Sequence, residues 1–273
     1  MSNEQIEELA ERLHKAYEQG KPVAEAPSSQ TGFDLEAAYA VDASLRKLRE
    51  SGGHKAVGRK VGYANKAVWR IFKLETLVWA HMYDDTVHDA QDNSATLELP
   101  HARALKIEPE IVFGMKSQID PASADANSAL AAADWVAMGF EIIDCPFPGW
   151  QFQPSDFVAS FGLHAALVIG QRLPVGPDNV GTLAEQLRHF KVRMLKNGEL
   201  IEEGAGRNSL KSPALCLAEL SSAISKRFPD DPLRSGEIVS SGTLTAGHPL
   251  EKGDVWKAEL EGIPLPSLTF RLE

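Results

Sequence analysis

The stretch KIEPEIVFGM, residues 106–115, sets the tightest constraint on what this chain can fold into. Its apolar residues read as a strand, yet Glu108 and Glu110 stand two positions apart with Pro109 between them. Alternate residues of a strand face the same side, so the two acids share a face. Like charges side by side repel, and burial raises the cost. Pro109 has no N–H for a ladder, which marks this point as a sheet edge, a bulge or a strand end. A third acid, Glu141, interrupts another apolar run, GFEIIDC. Three acids within apolar strands suit a shared divalent cation, and an all-oxygen ligand set favours Mg²⁺ or Mn²⁺ over zinc. The same pattern also arises where half-buried strands turn glutamates to solvent, and Glu-x-Glu spacing alone does not separate the two.

The rest of the chain bounds the setting. At 273 residues, 43% hydrophobic and 24% charged, it has the composition of a soluble globular protein with a sizeable core. A net charge of −10 argues against nucleic acid as a partner, because phosphate binding needs concentrated Lys and Arg. Cys145 and Cys216 read as buried thiols of a reducing compartment. The first twenty residues lack the basic-then-apolar layout of a signal peptide, and no apolar run approaches membrane-spanning length. The expectation is a cytoplasmic protein with no membrane partner.

Periodicity predicts a helix over 4–19, with Ile6, Leu9, Leu13 and Tyr17 on one face, and a second from about Asp34 to the SGG stretch. AVGRKVGY reads as a strand carrying Lys60. SALAAADWVAMGFEIIDCPF reads as helix into strand with the switch near Gly139. Asn197-Gly198 marks a hairpin turn, and Ser212-Pro213 opens a helix. The end of the chain is β-rich. This is not the regular rhythm of a doubly wound sheet, and an α+β fold on mixed or antiparallel sheet fits it.

GRKVGYANKAVW, KIEPEIVFGM, GFEIIDCPF and IVSSGTLTAGHPLEKGD occur in the order seen in one group of enzymes. Over most of its length the chain resembles the 2-keto-4-pentenoate hydratase and 4-oxalocrotonate decarboxylase family, within the fumarylacetoacetate hydrolase superfamily. The resemblance implies a mixed β-roll with flanking helices, a small helical N-terminal region (1–70) packed on a metal-binding catalytic domain (71–273), and a homo-oligomer. It implies Mg²⁺ or Mn²⁺ held by Glu108, Glu110 and Glu141, with Lys60 as the acid/base residue. It also implies a substrate carboxylate lined by Gly242, Thr243 and Thr245.

Several positions depart from the family pattern. Tyr63, Ala64 and Asn65 stand where Leu-Thr-Ser is usual, with Asn65 able to donate a hydrogen bond in place of the lost hydroxyls. Ser160, Phe161, Gly162, Leu163 and His164 replace an Asp-Asn-Ala-Ser run, and His164 reads either as a polar contact or as a satisfied core histidine. Arg207, in GAGRNSLKSP, has the fork to grip a second carboxylate or is a surface arginine. Asp84 and Asp85 match an acidic, structural or supporting turn. The implied reaction is hydration of a 2-hydroxy-2,4-dienoate in aromatic catabolism. Its alternatives are decarboxylation of a 2-oxo dicarboxylate, hydrolysis of an acylpyruvate, and a binding homologue without turnover. Hydrolysis wants a water-activating His–Glu pair, and no spacing assigns His81 or His101 to one.

Overall fold

The computed structural model describes residues 1–121 and 125–273. Two capped helices come first, α1 (Asn3–Glu18) and α2 (Leu35–Ser51). The Ser2 hydroxyl accepts from the Gln5 N–H while the Gln5 side chain accepts from the Ser2 N–H, a reciprocal cap that satisfies two otherwise orphaned donors. Asp34 caps α2 by accepting from the Ala37 N–H. Then follow β1 (Ala56–Gly62), the short α3 (Lys66–Phe72), β2 (Val78–Tyr83), β3 (Val87–Asp89) and β4 (Ser94–Leu97). The long strands β5 (Leu105–Met115) and β6 (Ala133–Asp144) flank α4 (Ala126–Ala131). Next come α5 (Pro154–Ala159), β7 (His164–Ile169), β8 (Leu173–Pro174), α6 (Val180–His189), β9 (Lys191–Lys196) and β10 (Glu199–Ala205). Helix α7 (Pro213–Arg227) precedes β11 (Ile238–Thr243), β12 (His248–Pro249), β13 (Val255–Glu261) and β14 (Leu268–Leu272).

The larger sheet runs β2-β1-β11-β5-β6-β7-β3, with β12 beside β5 and β8 beside β6. The second sheet runs β10-β9-β13-β14-β4. Parallel pairs (β1 with β11, β3 with β7, β4 with β14) sit among antiparallel ones, so the fold is α+β on mixed sheet, with helices flanking it. Asn197 and Gly198 both take positive φ, 53° and 88°, as a two-residue hairpin turn demands. No helix among the described residues is long and apolar enough to cross a membrane.

One sequence expectation changes here and another narrows to a single alternative. The helix-to-strand switch falls at Ala132, not near Gly139, because residues 133–144 pair with β5 along their length and that pairing overrides the helix propensity of the alanines. Gly139 instead lies opposite Glu110, where an added Cβ would collide with Val112. Pro109 is at neither an edge nor a strand end: β5 lies between β11 and β6. Its carbonyl accepts the Leu244 N–H at 2.9 Å, so its ring nitrogen faces β11 too. There the β11 register shifts between Ser240 and Thr243, and the bulge absorbs the missing donor.

Strand alternation then sorts β5. Ile107, Ile111 and Phe113 enter the main core, while the opposite face carries the acids together with a small second core of Met82, Val112, Ala137, Leu167 and Ile169. Arg59, 1% exposed, is matched by Glu237 at 2.6 Å and Asp231 at 3.1 Å, both from the segment that leads into β11. Burial opposes ionisation of Asp231, but Arg59 and Arg46 outweigh it and hold its carboxyl below the usual range. A depressed acid stabilises the fold above its unfolded pKa, about 4, and that contribution is lost as pH falls through the folded value. Asp231→Asn should therefore lower the urea midpoint at pH 7 and flatten its decline below about pH 4, compared with the parent chain.

Candidate active site

The site is a row across five adjacent strands. Lys60 comes from β1, Ser240 from β11, Glu108 and Glu110 from β5, Glu141 from β6 and His164 from β7. Register puts Glu108 directly opposite Glu141 and Lys60 beside Ser240. One carboxylate oxygen from each of Glu108, Glu110 and Glu141 lies within 4.8 Å of the others. Glu110 and Glu141 are fully buried.

The three acids are not equivalent. Burial, with Glu141 as a repelling neighbour, pushes the Glu108 carboxyl up to about 7 despite the attraction of Lys60. Burial and then the charges of Glu141 and Glu108 push Glu110 well above the ordinary range. For Glu141 burial acts the same way, but Lys60 and His164 outweigh it and hold this carboxyl low. Its Oε2 pairs with Lys60 Nζ at 2.9 Å and its Oε1 lies 2.9 Å from His164 Nδ1. On Glu110, Oε2 accepts from the Ser240 hydroxyl at 2.5 Å and the Gly242 N–H at 2.8 Å. Its Oε1 is buried with no hydrogen-bond partner among the described residues. An orphaned carboxylate oxygen facing two further acids is a set that a divalent cation completes, and all-oxygen donors fit Mg²⁺ or Mn²⁺.

Lys60 is 2% exposed, donates to the Gly162 carbonyl at 2.8 Å and lies 4.8 Å above the Phe157 ring. That carbonyl is aimed by three consecutive residues with positive φ: Phe161 at 55°, Gly162 at 63° and Leu163 at 57°. A Cβ on Gly162 would collide with the Lys60 side chain. Two of the three are non-glycine, so the segment stores backbone strain, a recurrent feature of functional sites.

A cavity of about 680 Å³ opens beside the row. Lys60, Glu108, Glu110, Asn65, Gly242, Thr243 and Thr245 all line it, as the sequence reading requires of neighbours in one site. Their hydrogen bonds are largely committed. The Thr243 hydroxyl donates to the Thr245 carbonyl, the Thr245 hydroxyl to the Ala246 carbonyl, and the Asn65 side-chain carbonyl caps α3 by accepting from Ala67. Arg207 is exposed and does not line this cavity. Nor does His81, which pairs with Asp42 at 2.8 Å, nor His101. Asp85 takes both its oxygens to Arg49, a structural pairing.

Sequence reasoning left four partners unassigned: Ser240 on Glu110, the Gly162 carbonyl on Lys60, His164 on Glu141, and Glu202 in the cavity wall. Ser240 had a signal, since it lies in the same IVSSGTLT stretch as Gly242. A backbone carbonyl has none.

No family model matches the chain. It is 30% identical over 229 residues to a 2-hydroxypent-2,4-dienoate hydratase of Pseudomonas putida, covering 80% of this chain and 95% of that one. It is 27% identical over 264 residues to a 2-keto-4-pentenoate hydratase of Paraburkholderia xenovorans, covering 96% and 94%. Among solved structures, the 4-oxalocrotonate decarboxylase of Pseudomonas putida G7 complexed with magnesium and adipate superposes with a TM-score of 0.88 at 25% identity, covering 100% of this chain and 99% of that one.

Thermal unfolding after chelator treatment tests the acid cluster. Mn²⁺ at a hundredfold excess over its Kd should stabilise the parent by about 2.7 kcal/mol and raise its Tm. Glu110→Gln should remove that metal-dependent rise, while the metal-free variant melts no lower than the metal-free parent because the amide keeps the shape of a carboxyl that burial and its acidic neighbours already push away from its charged form.

Proposed function

The chain belongs to the 2-keto-4-pentenoate hydratase and 4-oxalocrotonate decarboxylase family, and on that premise we propose a divalent-metal-dependent lyase that adds water to a 2-hydroxy-2,4-dienoate to give a 4-hydroxy-2-oxo acid. The observation that carries this reading is one constellation: three carboxylates within 4.8 Å of one another and a buried lysine on one of them, beside a cavity of about 680 Å³.

Glu108, Glu110 and Glu141 would hold Mg²⁺ or Mn²⁺, which when bound supplies a Lewis acid for the charge that develops on the C2 oxygen of a 2-oxo acid. The chain's own residues do the rest. Ser240 and the Gly242 N–H fix Glu110 so that its unpartnered oxygen is offered to the cluster. His164 fixes the other flank through Glu141. Lys60, held at Nζ by Glu141 and the Gly162 carbonyl, is the group placed to give or take a proton along the carbon chain. Phe157 and Leu163, both buried, limit the access of bulk water to it.

Decarboxylation of a 2-oxo dicarboxylate is the second reading, supported by the likeness to the decarboxylase structure. It would use the same acids and lysine, with carbon dioxide leaving in place of water entering. A binding homologue without turnover has no physical reason to retain buried acids and a lysine in this arrangement. Family membership also supports a homo-oligomer in the cytoplasm.

The test follows ultraviolet absorbance of 2-hydroxypenta-2,4-dienoate with Mn²⁺-loaded protein. The parent should consume the dienoate, and Lys60→Met should cut kcat by about 100-fold or more while Mn²⁺ binding persists. Metal binding without loss of the dienoate in the parent would defeat the hydratase reading.

A further inference from the structure

We infer that the substrate carries one carboxylate and a bulky apolar substituent of aromatic size at the far end of its chain. This rests on the proposed 2-oxo acid chemistry and concerns the part of the cavity which that chemistry does not use. Its volume, about 680 Å³, is on the scale of a drug-sized ligand and far exceeds what a five-carbon dienoate fills. Aromatic residues make up 7% of the chain, yet five of the nineteen residues lining the cavity are aromatic. They are Tyr63, Phe72, Trp150, Phe152 and Phe157, and they arrive from two stretches far apart in the chain, 63–72 and 150–157. Trp150 sits at positive φ, 57°, so part of this wall is held at a backbone cost. Rings collected in this way favour apolar and ring-bearing ligands.

Charge gives the other half of the argument. The charged groups lining the cavity are Lys60, Glu108, Glu110 and Glu202. Lys60 is already paired with Glu141 and the Gly162 carbonyl. Among the described residues no arginine, histidine or second lysine lines the cavity. Glu202 adds a further negative charge to the wall, held by the Ala246 N–H at 3.1 Å and by His248 at 2.7 Å. The hydroxyls of Thr243 and Thr245 donate to backbone carbonyls and so offer a ligand acceptors. Asn65 and Asn208 are neutral, and Asn208 already donates to the Leu244 carbonyl. A carboxylate at the metal end meets a cation. The Lys106 ammonium does not line the cavity and is seated over the Trp150 ring at 4.0 Å. A second carboxylate would lose its water and meet no opposite charge among the lining residues, a cost that hydrogen bonds to neutral amides do not offset.

Calorimetry on the full chain loaded with Mn²⁺ tests this without turnover, using three saturated 2-oxo acids: 2-oxopentanoate, 2-oxo-5-phenylpentanoate and 2-oxohexanedioate. The phenyl compound should bind about tenfold or more tightly than 2-oxopentanoate, and the dioate more weakly than either. A dioate that binds as well as 2-oxopentanoate overturns the inference, as does a phenyl group that adds nothing, or a loaded protein that binds none of the three. Glu202→Arg should tighten the dioate by about tenfold. If that variant fails to fold by circular dichroism, the order of the three ligands on the parent decides alone. Absorbance assays of the three corresponding dienoates separate the two readings. Absent turnover with the binding order intact defeats the hydratase proposal and leaves the substrate shape standing.

Discussion

Glu108 faces Glu141 across the β5–β6 ladder and Glu110 stands two residues on along the same face, so three carboxylates, two of them fully buried, crowd one face of a sheet. At effective dielectrics typical of protein interiors, each close pair costs several kcal/mol if both members are ionised and nothing intervenes. The neighbouring strands answer that cost unequally. Lys60 and His164 bracket Glu141, whereas Glu110 receives a hydroxyl and an N–H. The Glu141 carboxyl is thereby held low, whereas burial and the neighbouring acids push those of Glu108 and Glu110 up. The order of strands in the larger sheet is what brings a lysine, a serine and a histidine from separate segments to the β5–β6 pair.

Local features were the most legible. The Asn197-Gly198 turn and the proline that opens α7 each depend on adjacent residues, and each forms as its local chemistry dictates. The acids were legible too, since charges within apolar strands require an explanation wherever they fall. The cavity wall was not. Tyr63 and Phe72 on one stretch and Trp150, Phe152 and Phe157 on another carry no mutual signal along the chain, and only the fold brings the two stretches together. Arg207 shows the same limit from the other side. It lies next to Gly206, yet its neighbours do not reveal which way a loop side chain points, and it is exposed. The boundary between α4 and β6 was misplaced for a related reason: alanines state a helix preference, and only pairing with β5 cancels it.

The two halves of the site meet at residues 161–163. On one side these residues present a carbonyl to Lys60, and on the other Leu163 enters the wall that the aromatic rings share. One of the segments where the chain departs from the family pattern is thus the one that joins the acid cluster to the pocket.

Pro109 has a consequence for how the chain reaches this arrangement. Slipping β5 by one residue against β11 would turn Glu108 and Glu110 into the main core and bring Ile107 and Ile111 out onto the acid face. It would also carry the proline away from the bulge between Ser240 and Thr243, leaving a ladder position with no donor. The ring therefore works like the notch of a key: misaligned pairings are penalised while the sheet is being assembled, before any cation or ligand is present to select the right one. A residue that takes no part in chemistry guards the alignment that the chemistry needs.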